Sequence, residues 1–300
     1  MFCKKLIYIL LVIFTVTFMI TMSISSNLYQ HEETITYFPP HKNATFLEVN
    51  THLSLKQKKQ NKFQKKYTIV WEMMSLLDRS AYLRQDMGFI FKNGKLKKTV
   101  GKKNWKQHTN ELAVAKKLSF FHSGYFQAIS FHYAEIHEEN DGLIKSMQDM
   151  SESQLYVINS QLEDKFLSFH KPTNSFEKEW ATVLQTTTKH HLQEQWEKGM
   201  QFFELPPAQF IPIPLTDLSQ YAKKTLPGGY TKQQTYEIIG HLMEGLYKNY
   251  LLGIKKENGT IVDPIDSLIP LILLNKNKKE LLVLIYTKEN EYVLFKQKIS

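Results

Sequence analysis

Nineteen consecutive residues near the N-terminus, Leu6 to Ile24 (LIYILLVIFTVTFMITMSI), carry no charge and follow directly on Lys4 and Lys5. As a helix they would extend about 28 Å at ~1.5 Å per residue, close to the hydrocarbon thickness of a bilayer. A span here would fix the compartment of everything that follows. The sequence therefore predicts a cytoplasmic stub and transmembrane anchor over residues 1–26, single-pass, with the C-terminal region extracytoplasmic at the cell membrane. The competing reading is a cleaved signal peptide, with Ser23 and Ser25 as a small-x-small site. Against it, the apolar run exceeds the ~7–15 residues usual for such a segment.

Cys3 is the only cysteine and precedes the apolar run. The exported portion then has neither disulfide nor thiol chemistry and must hold itself by packing. Its basic residues are almost all lysine, with Arg79 and Arg84 as the exceptions, and the heavy use of Lys, Asn and Ile suits a bacterial cell-envelope protein. The net charge of +9 is unevenly spread: residues 42–117 hold 18 Lys or Arg against 5 Asp or Glu, whereas residues 118–300 are net acidic. The positive field is local. Its densest run contains Lys56, Lys58, Lys59, Lys62, Lys65 and Lys66. The partner expected there is anionic lipid or wall polymer. Nucleic acid is not expected, because the run belongs to no recognisable nucleic-acid motif.

Residues 27–66 read as a polar, basic stalk. Residues 67–172 read as a helix-plus-meander unit, and residues 173–300 as a helical segment followed by antiparallel strands, with one domain or two left open. Val70, Trp71, Met74 and Leu77 recur at three-and-four spacing and predict a helix over Tyr67–Met87. A second helix is expected over Asn110–Leu118. Asn93-Gly94 signals a tight hairpin, and Tyr125–His137 reads as a long strand. A long helix should start near Ser175 and stop before Pro206-Pro207. Thr231 should cap another that runs to about Leu252. Leu281–Tyr286 is apolar on both faces and should be a central strand. Helices and strands are segregated rather than alternating. This predicts an α+β region of antiparallel sheet behind the N-terminal transmembrane helix.

Catalytic patterns are approached but not completed. His137-Glu138-x-x-Asp141 lacks the second histidine that a helix-borne zinc site needs. Ser168-x-x-Lys171 is followed by Pro172, which stops a helix from carrying it on. Glu237, His241 and Glu244 share one face of a predicted helix, as do His190 or His191 with Glu194. Such rows can hold a metal, but more simply they are solvated stripes with intrahelical pairing. His122, His132, Glu135 and His137 accompany an aromatic strand and read as packed histidines. Arg79 and Arg84 stand beside Asp78 and Asp86, and their planar forks suit either an anion or structural pairing. No catalytic residue, metal or cofactor is expected. The sequence reads as a membrane-anchored binding, sensing or scaffold protein. The alternative is a metal-dependent envelope hydrolase using Glu237, His241 and Glu244.

Overall fold

The computed structural model describes residues 35–56, 66–101, 105–138, 142–160, 165–256 and 258–299. Seven antiparallel strands make the larger sheet: β1 (Phe46–Lys56), β2 (Tyr67–Lys92), β3 (Lys95–Val100), β4 (Trp105–Phe120), β5 (Gly124–His137), β6 (Ile144–Ser160) and β7 (Lys165–Phe169). The 26-residue strand β2 organises it. Its first half pairs with β1, from Thr68 opposite Lys56 to Leu77 opposite Phe46. Its second half pairs with β5, from Leu83 opposite Glu135 to Lys92 opposite Phe126. Along the other edge run β4 and then β3, with a register shift between Leu76 and Ala81.

That shift bends β2 and brings β1 round against β6, so that the sheet nearly closes into a barrel. Between β1 and β6 no backbone ladder forms among the described residues. Hydroxyls bridge the seam instead: Thr51 Oγ1 and Ser151 Oγ lie 2.6 Å apart, and the Leu53 amide donates to Ser153 Oγ at 3.2 Å.

Strand periodicity sets the interior. Tyr67, Ile69, Trp71 and Met73 alternate inward from β2 and meet Leu53, Leu112, Phe126, Leu155 and Phe166 in one buried cluster. Asn93 and Gly94 both take positive φ (49° and 78°) in the β2–β3 turn, as a two-residue hairpin requires.

Behind the barrel wall lies a four-stranded sheet in the order β13 (Tyr292–Lys298), β12 (Glu280–Tyr286), β11 (Leu271–Asn275), β8 (Phe210–Pro214). A small β9–β10 ribbon, Ile254–Lys255 with Ile261–Val262, stands apart from it. Helix α1 (Ser175–Phe202), capped by the Asn174 side chain, covers one face of the four-stranded sheet through Met200, Leu282 and Leu284. Helix α2 (Lys232–Leu246) starts at a Thr231–Gln234 capping box and continues into a π turn over Tyr247–Leu251. It covers the other face through Leu242 and Leu246. The same core takes in Phe89, Phe131 and Tyr133 from the outside of the barrel.

Among the described residues strand outweighs helix two to one, 51% against 24%, so the α+β expectation is corrected to a mostly antiparallel β protein with a barrel-like sheet. Tyr67–Met87 and Asn110–Leu118, expected as helices, are strand throughout. β1 falls inside the stretch expected to be a stalk. The span expected over Leu6–Ile24 lies outside the described residues. Among those residues no helix is long and apolar enough to cross a membrane, so nothing in the described fold carries the transmembrane, single-pass description.

Candidate functional site

The barrel interior changes character along its length. Beyond the apolar cluster, Thr51, Ser75, Arg84, Asp86, Ser130, His132 and Ser151 bring polar groups together, although Arg84, Asp86 and His132 have no exposed surface. Each comes from an inward position of β1, β2, β5 or β6. The Ser75 hydroxyl donates to Asp86 Oδ2 at 2.6 Å, and His132 Nδ1 lies 3.0 Å from the same oxygen. His132 Nε2 is 2.7 Å from Ser151 Oγ, and Thr51 donates to Ser130 Oγ at 2.6 Å. Arg84 donates to Ser75 Oγ and, at 3.0 Å, to the Tyr133 carbonyl. Its Nη2 is 3.6 Å from Asp86 Oδ1, and its guanidinium carbon lies 4.7 Å from the Phe46 ring centroid. Burial pulls the Arg84 pKa down, and Asp86 offsets part of that.

Ser151, His132 and Asp86 follow the hydroxyl–imidazole–carboxylate order of a nucleophilic triad. Acyl transfer also needs open space beside the nucleophile and donors aimed at an oxyanion. Ser151 Oγ is instead met by Thr51, and its partners His132 and Asp86 are sealed from solvent. The network reads as a brace that closes the barrel.

Arg79 and Arg84 lie on one strand, not one helix, and the register shift separates them. Arg79 stays at the surface, paired with Asp78 at 2.9 Å and donating to the Asn43 carbonyl at 2.8 Å. Glu237, His241 and Glu244 do share the face of α2, but their polar groups are engaged locally. Glu244 Oε1 accepts from Lys248 at 2.7 Å, and Glu237 accepts from Gln233 at 3.0 Å. His241 lies 3.6 Å from Glu244 and packs on the Tyr37 ring. Among the described residues no three His, Cys, Asp or Glu side chains converge as a metal site. His137 pairs with Glu135 at 2.6 Å and stacks on Tyr82. Of the lysine run, Lys56 and Lys66 are described; Lys58, Lys59, Lys62 and Lys65 lie outside the described residues.

Two cavities matter for chemistry. One, of about 700 Å³, lies beneath α1 against β5, β8 and β11. The other, of about 340 Å³, lies between β6 and α2 and is lined by Asp149, Tyr221, Lys223 and Tyr236 among others. Burial raises the Asp149 carboxyl above its usual range, while the Met150 amide, His132 and Lys223 pull it back in part. The folded state therefore holds this proton more tightly than the unfolded chain does. The resulting stabilisation is complete below the ordinary carboxylate pKa and is lost as pH rises through the folded value. Asp149→Asn should remove that descent. Urea midpoints measured across about pH 4–8 should fall less with pH in the variant than in the parent. Parallel profiles would mean that Asp149 is not the source.

The buried network is not readable as a unit from the sequence, because its members are scattered over four strands. The α1 cavity was missed too, although Gln185, Lys189, Gln193 and Glu197, spaced by four along the helix, were a readable signal. No family model, no curated protein and no solved structure matches this chain.

Proposed function

We propose that the protein is a non-catalytic binding or scaffold protein of the extracytoplasmic envelope, holding an anionic surface or polymer at the tip of the β1–β2 hairpin. The placement of the lysines carries this reading. Lys56 ends β1 and Lys66 immediately precedes β2, so they bracket the connection that holds Lys58, Lys59, Lys62 and Lys65. Lys56 stands opposite Thr68, and Lys117 of β4 stands opposite Val70. By strand alternation both share the outward face, away from Trp71. Phe121 is exposed beside them, its ring 5.7 Å from Lys66 Nζ. Export of the chain belongs to the same proposal and rests on Lys4, Lys5, the uncharged run behind them and the lone Cys3.

Each lysine near an anionic surface contributes on the order of 1 kcal/mol, so the six of this run can outweigh the entropy of ordering their connection. The test is co-sedimentation with anionic vesicles, neutral vesicles and wall polymer. The protein should bind anionic targets only. Binding should collapse as the Debye length shrinks from roughly 10 Å at 0.1 M salt to roughly 3 Å at 1 M. Changing Lys56, Lys58, Lys59, Lys62, Lys65 and Lys66 to Gln should abolish it and leave the melting transition in place. Retained binding in that variant, or equal binding to neutral vesicles, refutes the proposal.

A further inference from the structure

The large cavity beneath α1 opens into a second of about 300 Å³, and Tyr125, Gln127, Thr216 and Asp217 line both. Together they form a groove along the helix. Helix α1 contributes two rows to it. Gln185, Lys189, Gln193 and Glu197 form an exposed polar rim; Leu192, Trp196 and Met200 form a buried or half-buried apolar floor. Residues four apart on a helix lie nearly above one another, so the rows run side by side. From Gln185 to Glu197 they cover about 18 Å at ~1.5 Å per residue.

The opposite wall limits what fits. Among the described residues β8 is the free edge of its sheet, paired on one side only, with β11. The Leu215 amide donates toward that sheet, to the Pro270 carbonyl at 3.0 Å. Strand alternation turns the outward main-chain positions over to Pro212 and Pro214, which line the groove and have no N–H. That edge offers a peptide only the Pro212 and Pro214 carbonyls and no donor, so a full ladder cannot form and an occupant depends mainly on side chains. Gln127 of β5 and Gln193 of α1 both line the groove, and neither side-chain amide makes a hydrogen bond among the described residues. Across the joined groove Lys171 and Lys189 stand against Glu152, Glu197 and Asp217, so the charges largely offset with a small acidic excess that disfavours a polyanion.

An elongated, uncharged molecule with apolar faces and hydroxyl-bearing edges matches the paired rows. We propose that this groove binds a short neutral glycan, at a site separate from the lysine tip. Planar amides and carboxylates along the rim would exchange hydrogen bonds with ring hydroxyls, while the C–H faces of the sugars lie on Trp196, Leu192 and Met200.

The test is calorimetric titration of the full chain with chitotriose and with maltotriose, each repeated by saturation-transfer NMR. At least one should bind saturably. Gln193→Ala combined with Asp217→Asn, both at exposed positions, should weaken that binding about tenfold or more with an unchanged melting transition. Gln127→Ala provides a second probe from the opposite wall. Changing the tip lysines to Gln should leave glycan affinity as it was, which separates this site from the polyanion site. Absence of binding by both sugars, or equal affinity in parent and groove variants, overturns the proposal. Displacement of the sugar by an extended peptide of equal length at the same concentration overturns it as well.

Discussion

Asp86→Ala should destabilise the fold by about 3–5 kcal/mol, because it leaves Arg84 as an uncompensated charge inside the barrel. Arg84 has no contact with solvent and Asp86 is its carboxylate partner, while Ser75 and His132 lose an acceptor at the same time. Removing both charges is a different experiment. Arg84→Met combined with Asp86→Leu should recover a large part of the loss, since two apolar side chains of similar volume need no partners. Urea unfolding of the parent, the single and the double variants measures both effects. A loss below about 1 kcal/mol in Asp86→Ala would remove the brace from the account of this barrel.

Trp71→Ala should cost about 3–5 kcal/mol as a large core truncation. Trp71 is 1% exposed, and its indole lies against Gly88 on the returning half of the same strand. A Cβ at Gly88 would come within 2.5 Å of Met73 Sδ and 2.6 Å of Trp71 Cζ2, closer than real Cβ atoms approach a neighbour. Gly88→Ala alone should therefore cost about 1–3 kcal/mol through overpacking. In the Trp71→Ala background the indole contact is gone and Met73 gains room to shift, so the penalty should fall while the Met73 contact keeps part of it. Strict additivity in that double-mutant cycle would show that the two positions do not press on each other.

The elements that follow one rule along their length were legible in the sequence. The Asn93-Gly94 hairpin, β5, the helix after Asn174, the Thr231 cap and the central strand β12 all came from local chemistry and simple periodicity. β2 was misread for an identifiable reason. Its inward residues are Tyr67, Ile69, Trp71, Met73, Ser75 and Leu77, and the polar Ser75 interrupts the apolar alternation. Val70, Met74 and Leu77 meanwhile supply a competing helical spacing. Past the register shift, every residue from Arg84 to Phe91 is buried, because one face looks into the barrel and the other onto α2 and the second sheet. A strand buried on both faces has no period to detect. The buried network was illegible for a topological reason: Ser75 reaches Asp86 only because β2 bends between them, and no spacing rule encodes that bend.

The hydroxyl seam gives the barrel a removable stave. β1 is laddered to β2 along one edge, while its other edge is tied to β6 by the hydroxyl pair Thr51–Ser151 and by the Leu53 amide donating to the Ser153 hydroxyl. Lifting β1 away breaks one ladder where a fully paired strand would break two, so the wall opens here at less cost than the whole molecule unfolds. Amide protons along the β6-facing edge of β1 should therefore exchange with solvent ahead of those in β5, which is laddered on both sides.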